Sequence, residues 1–197
     1  MAFADPVKAR AAAAAALLAL VLDLASKRVA MVELAFGELR EVTSFFSLVL
    51  VENRGAAFSL FSGTGEGQGL KMTALSALAL LPLAWFYRQA RREDLATLAA
   101  LGSILGGALG NIHDRLRYGA VVDFLDFHWG GAHWPAFNLA DVFVVAGVLW
   151  ILGGALAGAF AAARPGSVPP RPPGSGKARG AAGGTRKARS GKGRKGR

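Results

Sequence analysis

The chain contains no cysteine. That excludes disulfides, thiolate zinc sites and cysteine nucleophiles, and it leaves no thiol on which the protein could carry a lipid of its own. Acidic residues are missing from one end: between Arg164 and Arg197 there is none, although eleven of the 23 Lys and Arg residues lie there. That stretch also lacks large apolar residues almost entirely, and a run of Pro, Gly, Ser, Lys and Arg cannot bury a core. Residues 164–197 are therefore expected to form a disordered basic tail. The pI of about 10.9 is a property of this tail, because the preceding residues set twelve basic against thirteen acidic side chains. Tail aside, a chain that is 53% hydrophobic with a mean hydropathy of +0.36 is richer in apolar residues than a soluble domain. A membrane protein is the first expectation.

Crossing a bilayer takes roughly 17–25 mostly apolar residues. Four stretches could do so: one from about Ala11 to Ala25, which is short, then Met72–Tyr87, Leu95–Ile112 and Phe137–Ala163. The first is Ala-rich and interrupted by Asp23. Its alternative reading is a cleavable signal peptide, with Lys8 and Arg10 as the basic region and Ala11–Leu22 as the apolar one, but no Ala-x-Ala site ends the run. Short loops rich in Lys and Arg stay in the cytoplasm. With four spans, the N-terminus, the loop bearing Arg88, Arg91 and Arg92, and the tail share one side and sixteen basic residues, against seven on the other. Both termini are then cytoplasmic, and residues 29–70 and 113–136 face outward.

The first outward segment contains Glu41-Val-Thr-Ser-Phe-Phe-Ser-Leu-Val-Leu-Val-Glu52, whose β-branched and aromatic residues predict one or two strands. Asn53-Arg-Gly-Ala-Ala-Phe58 opens with a turn signal, and the Gly-rich run Gly63–Gly69 reads as a loop into the second span. In the third span Gly102, Gly106 and Gly110 recur every four residues, a stripe that lets a neighbouring backbone approach closely.

Five carboxylates fall at or near the outer helix ends: Asp23, Asp114, Asp123, Asp126 and Asp141. Ionisable groups at membrane depth are costly and are usually functional or paired. Asp141 begins an apolar span, where a helix N-terminus favours a carboxylate and plain capping is the competing explanation. Asp123 lies in the extended stretch Ala120-Val-Val-Asp-Phe-Leu-Asp-Phe127, where a strand would turn Asp126 the opposite way. Two carboxylates close together in a partly dry site share one proton. One activates water while the other donates to the substrate carbonyl, which is aspartic-protease chemistry and needs no metal or cofactor. Other nucleophiles fit less well: Ser26 and Lys27 point apart on a helix, and His113, His128 and His133 lack metal-protease spacing and read as polar loop residues.

Gly106-Gly-Ala-Leu-Gly-Asn-Ile-His-Asp-Arg115, Val121-Val-Asp-Phe124 and Pro135-Ala-Phe-Asn-Leu-Ala-Asp141 resemble, in order and spacing, the signature blocks of signal peptidase II. Asn53-Arg-Gly-Ala-Ala-Phe58 looks like that family's outer-domain block, and Asp23 with Lys27 like its N-terminal block. The resemblance covers about residues 15–160. It implies an all-α membrane protein of the bacterial inner membrane, with four transmembrane helices and a small outer β-element at about 29–70. It implies an aspartic endopeptidase that removes signal peptides from diacylglyceryl-modified prolipoproteins, cutting before the lipidated cysteine. Asp123 and Asp141 would be the catalytic pair, and Asn53, Asn111, Arg115 and Asn138 would shape the site or hold the substrate backbone. Asp114 is expected to be structural, paired with Arg115 or Arg117 at an exposed helix end. Asp23 and Lys27 are equally readable as an i, i+4 pair that orients the first helix. The tail is outside the family pattern. Anionic lipid is the partner its charge suggests, and no specific nucleic acid is expected.

Two rivals belong to other classes. A proton-coupled transporter using Asp141 would place polar residues at the membrane midplane, but the second and third spans carry no charge in their cores. A membrane-anchored scaffold recruiting acidic partners through the tail leaves five carboxylates unexplained.

Overall fold

The computed structural model describes residues 5–55, 73–74, 77–78, 80–91 and 94–163. Helix α1 spans Pro6–Glu33, starting where the Asp5 side chain accepts the Val7 N–H and Pro6 occupies the first turn. It is longer than the apolar run that announced it, continuing past Asp23 and Lys27 because both find partners inside the protein. Strands β1 (Leu39–Thr43) and β2 (Phe46–Asn53) form an antiparallel hairpin where the small β-element is expected. Helix α2 (Leu80–Gln89) belongs to the expected second span, whose first half lies largely outside the described residues, as do Gly63–Gly69, Ala56–Phe58 and the tail.

Helix α3 (Leu95–Tyr118) is capped by Asp94 and ended by Gly119, which takes the left-handed φ of 74° that a helix C-terminus needs and most side chains resist. Strand β3 (Val121–Trp129) follows two residues later and turns through Gly130 and Gly131, both at positive φ, into the short β4 (Ala132–His133). Helix α4 (Leu139–Ala162) completes the described chain. The sheet is antiparallel in the order β1-β2-β3-β4.

The glycine stripe does what its spacing predicts. A Cβ at Gly102 or Gly106 would run into the backbone oxygen of Ala12 or Ala16 on α1, and one at Gly110 would run into the Asp23 carboxylate. Helix α3 thus lies between α1 and α4, closely packed against both. Leu17, Leu18, Val21 and Val29 of α1 and Val145, Leu149, Leu152 and Leu156 of α4 face outward. Among the described residues three helices, α1, α3 and α4, are long and apolar enough to cross a membrane. The sheet is fastened to the helices by a small core of Ala30, Leu34 and Phe124, with Leu48, Leu50, Leu125 and Leu139 against it.

Candidate active site

Three elements bring the carboxylates together. Asn138 is the N-cap of α4: its Oδ1 accepts the Asp141 N–H at 3.1 Å, while the Asp141 side chain accepts the Asn138 N–H at 3.3 Å. This reciprocal cap anchors Asp141 to the first turn of an otherwise apolar helix. The same Asn138 turns its Nδ2 to Asp123 Oδ1 at 2.7 Å, so one fully buried amide touches both aspartates. Asp123 stands on β3 opposite Val51, and from the end of β2 Asn53 donates to its other oxygen at 3.0 Å. The capping role expected of a carboxylate at a helix start is present at Asp141, and the Asn138 that makes the cap also binds Asp123.

A second layer fixes which way the amides point. Lys27 can only donate, and its Nζ lies 2.9 Å from Asn111 Oδ1. The oxygen of Asn111 must face the lysine, so its Nδ2 faces Asp141 Oδ1 at 2.9 Å. A backbone N–H holds the oxygen of Asn138 in the same way, leaving its nitrogen for Asp123. Lys27 also forms ion pairs of 2.8 Å with Asp23 and with Asp114, all three side chains being buried. The same two carboxylates also hold backbone, Asp23 through its other oxygen and Asp114 through the oxygen that meets Lys27. Asp23 Oδ1 accepts the Ala140 N–H at 2.8 Å and Asp114 Oδ2 the Val122 N–H at 3.2 Å, each one residue away from an aspartate of the pair.

This corrects the expectation for Asp114. It is not at an exposed end, and its cationic partner is Lys27 of α1 rather than Arg115 or Arg117. The close approach of α1 at Gly110 brings Lys27 within reach, and along α3 itself His113 Nδ1 lies 3.4 Å from the other Asp114 oxygen. The i, i+4 pairing of Asp23 with Lys27 is present as expected. Arg115 donates to the Asn111 carbonyl at 3.3 Å and lies within range of the charges of Asp141, Asp123 and Asp114. Asp126 does face away from Asp123 and pairs with His133 at 2.8 Å, while His128 pairs with the buried Ser47 at 3.0 Å. Among the described residues no three His, Asp or Glu side chains are arranged to hold a metal. Sequence reasoning missed the joining of Lys27 to Asn111. A lysine inside an apolar span, one turn from an aspartate, was the available signal.

Burial pushes the Asp123 carboxyl up to about 6; Asn53's hydrogen bond opposes this, the Asp141 charge adds to it, and Asn138 and Lys27 oppose it.

The model of the signal peptidase (SPase) II family matches residues 15–157. The chain belongs to that family. A lipoprotein signal peptidase of Ralstonia nicotianae is 46% identical over 133 residues, covering 68% of this chain and 76% of its own. One from Paraburkholderia phytofirmans is 44% identical over 137 residues, covering 70% and 79%. A solved bacterial membrane enzyme, determined by the in meso method at 1.9 Å, has a TM-score of 0.64 and 28% identity over 74% of this chain and 92% of that one. This member of the signal peptidase II family is thus a peptidase, and its long apolar helices make it an integral membrane protein.

Proposed function

We propose that the protein removes signal peptides from diacylglyceryl-modified prolipoproteins at the outer face of the bacterial inner membrane, cutting before the lipidated cysteine with Asp123 and Asp141. The observation behind the mechanism is the single Asn138 side chain that bonds Asp123 and caps Asp141. Its buried setting favours the protonated form of Asp123, which donates to the scissile carbonyl oxygen. The Asp141 carboxylate is met by donors, Asn111 Nδ2 and the Asn138 N–H, and acts as the acceptor that takes a proton from water. The water oxygen adds to the carbonyl carbon, giving a gem-diol. The proton gained by Asp141 passes to the departing amine nitrogen as the C–N bond breaks, and Asp123 regains its own. Asn53, Asn111 and Asn138 hold the pair, Lys27 holds Asn111, and Arg115 meets the substrate backbone. Both termini lie in the cytoplasm on this reading, and the basic tail meets anionic headgroups there.

The test compares a lipid-modified precursor with its unmodified form. Asp123→Asn and Asp141→Asn should each abolish cleavage of the modified precursor while the protein still inserts, and the double variant should be no worse than either. Appreciable turnover in either single variant overturns the pairing.

A further inference from the structure

The run Phe127-His-Trp-Gly-Gly-Ala-His-Trp134 sets two of the chain's three histidines on either side of a glycine pair. Gly130 and Gly131 take φ of 54° and 86°, the backbone of a tight two-residue turn whose twist matches that of the strands it joins. The turn fixes the register: Trp129 pairs with Ala132, and His128 with His133. On the next pair the Trp134 N–H donates to the Phe127 carbonyl at 2.7 Å. Hydrogen-bonded pairs alternate with the others along an antiparallel ribbon. His128 and His133 are therefore a non-hydrogen-bonded pair, the kind whose side chains stand closest. Their ring centres are 5.1 Å apart.

Each ring is tied at one nitrogen to a buried group. His133 Nδ1 lies 2.8 Å from Asp126 Oδ2, and His128 Nε2 lies 3.0 Å from Ser47 Oγ. Asp126 and Ser47 are both buried. An ionised carboxylate only accepts, so His133 carries its proton on Nδ1 and keeps the Nε2 lone pair free. The Ser47 hydroxyl can accept from His128 Nε2, which leaves the Nδ1 lone pair free in the same way. Metal-binding histidines are held like this: the second ring nitrogen donates to a carboxylate or another acceptor, which fixes the tautomer and raises the basicity of the first. The spacing agrees. With metal–nitrogen bonds of about 2.0–2.1 Å, two imidazoles on one ion hold their ring centres roughly 4.5–5.2 Å apart.

The surroundings decide which metals fit. Both rings line an open cleft of about 420 Å³. His128 lies two residues beyond Asp126 on β3, so the pair shares the face that is turned away from Asp123. Among the described residues no third His, Asp or Glu joins them as a ligand, and the remaining positions are left to water. Two imidazoles with water suit Cu²⁺, Ni²⁺ or Zn²⁺, whereas Mg²⁺ and Ca²⁺ require oxygen ligands.

We propose that His128 and His133 form a binding site for a late first-row divalent transition metal, with Asp126 and Ser47 orienting the two rings. The bound ion ties β4 to β3 on the side of the sheet away from the candidate active site, so the site does not rest on the peptidase reading.

The test titrates the full-length protein, free of any histidine tag, with Cu²⁺ and separately with Zn²⁺. One ion should bind per chain, Cu²⁺ the more tightly, and the Cu²⁺ EPR spectrum should show coupling to two imidazole nitrogens. His128→Ala and His133→Ala should each weaken binding at least tenfold, and Asp126→Asn by about tenfold or more. His113→Ala and Asp123→Asn should bind as wild type does, because neither residue lines the cleft. Should the alanine variants fold poorly, His128→Gln and His133→Gln keep a hydrogen-bonding side chain and should show the same loss. Failure of wild type to bind one ion at micromolar metal overturns the proposal, as does binding that survives removal of both histidines. Binding that disappears in Asp123→Asn also overturns it, by placing the ion at the carboxylate pair.

Discussion

Replacing Lys27 with methionine keeps most of the side-chain volume and removes the charge. The consequence follows from the partners. Lys27 is the cation at 2.8 Å from both Asp23 and Asp114, and all three side chains are at most 2% exposed. Deleting one partner of a buried ion pair typically costs about 3–5 kcal/mol, because the remaining charge keeps its desolvation penalty without compensation. Here two carboxylates are stranded, so Lys27→Met should lose at least that much. For a chain of this size, roughly 2–4 °C per kcal/mol translates the loss into a fall in Tm of about 6–20 °C. The assay is thermal unfolding of wild type and variant in one detergent. Arg40→Ala serves as the control, since its pair with Glu38 is 48% and 36% exposed and its loss should lower Tm far less. Adding Asp23→Asn and Asp114→Asn to Lys27→Met removes the stranded charges and should recover at least half of the loss. Activity per folded molecule should stay about tenfold low even then, because Asn111 has lost a donor that orients its amide toward Asp141. A Lys27→Met protein that melts within 2 °C of wild type, roughly the effect of 1 kcal/mol or less, would refute the buried-charge argument.

Three further outcomes are expected. If Asp123 must be protonated, its raised carboxyl at about 6 means that kcat/KM falls as pH rises through that value; Asn53→Ala, which removes a hydrogen bond favouring the charged form, should move this limb to higher pH, and a shift the other way in a pH–rate profile contradicts the assignment. Gly110→Ala, which drives a methyl into the Asp23 carboxylate, should destabilise by about 2–3 kcal/mol, whereas Gly154→Ala meets open space and should be neutral or stabilising by up to about 1 kcal/mol; unfolding in detergent separates them. Removing 165–197 should leave turnover per correctly inserted molecule within about threefold, because the part of α4 that follows Asp141 rises about 32 Å before the tail; a tenfold loss with unchanged insertion would place the tail in the catalytic machinery.

What could be read from the sequence was what depends on neighbours along the chain. Hydropathy located the spans now seen as α1, α3 and α4, and β-branched patterning located β1 and β2. The glycine spacing announced a close helix contact without saying with what; α1 supplies the answer. The boundaries of α1 were misjudged for a physical reason. An apolar run has to end at Asp23 and Lys27 only if their charges must reach water, and here they meet each other and Asp114 inside the protein.

The misreading of Asp114 has the same origin and shows how the site is built. Read locally, a carboxylate beside two arginines pairs with them. In the fold, the glycines at positions 102, 106 and 110 remove the side chains that would hold α1 away, so Lys27 arrives from 87 positions before Asp114 and takes both Asp114 and Asn111. Each contact then constrains the next. Lys27 turns Asn111, Asn111 turns its nitrogen to Asp141, and Asp141 completes a cap with Asn138, whose nitrogen is left for Asp123. Apart from the local i, i+3 cap, none of these steps has a sequence periodicity, since each joins a different pair of elements. What ties them is donor and acceptor parity: a lysine that can only donate at one end, and at the other an aspartate met by an amide nitrogen. Reversing either asparagine would set an oxygen against a carboxylate. Aspartate at position 111 or 138, nearly isosteric with asparagine, should therefore be far more damaging than its size suggests.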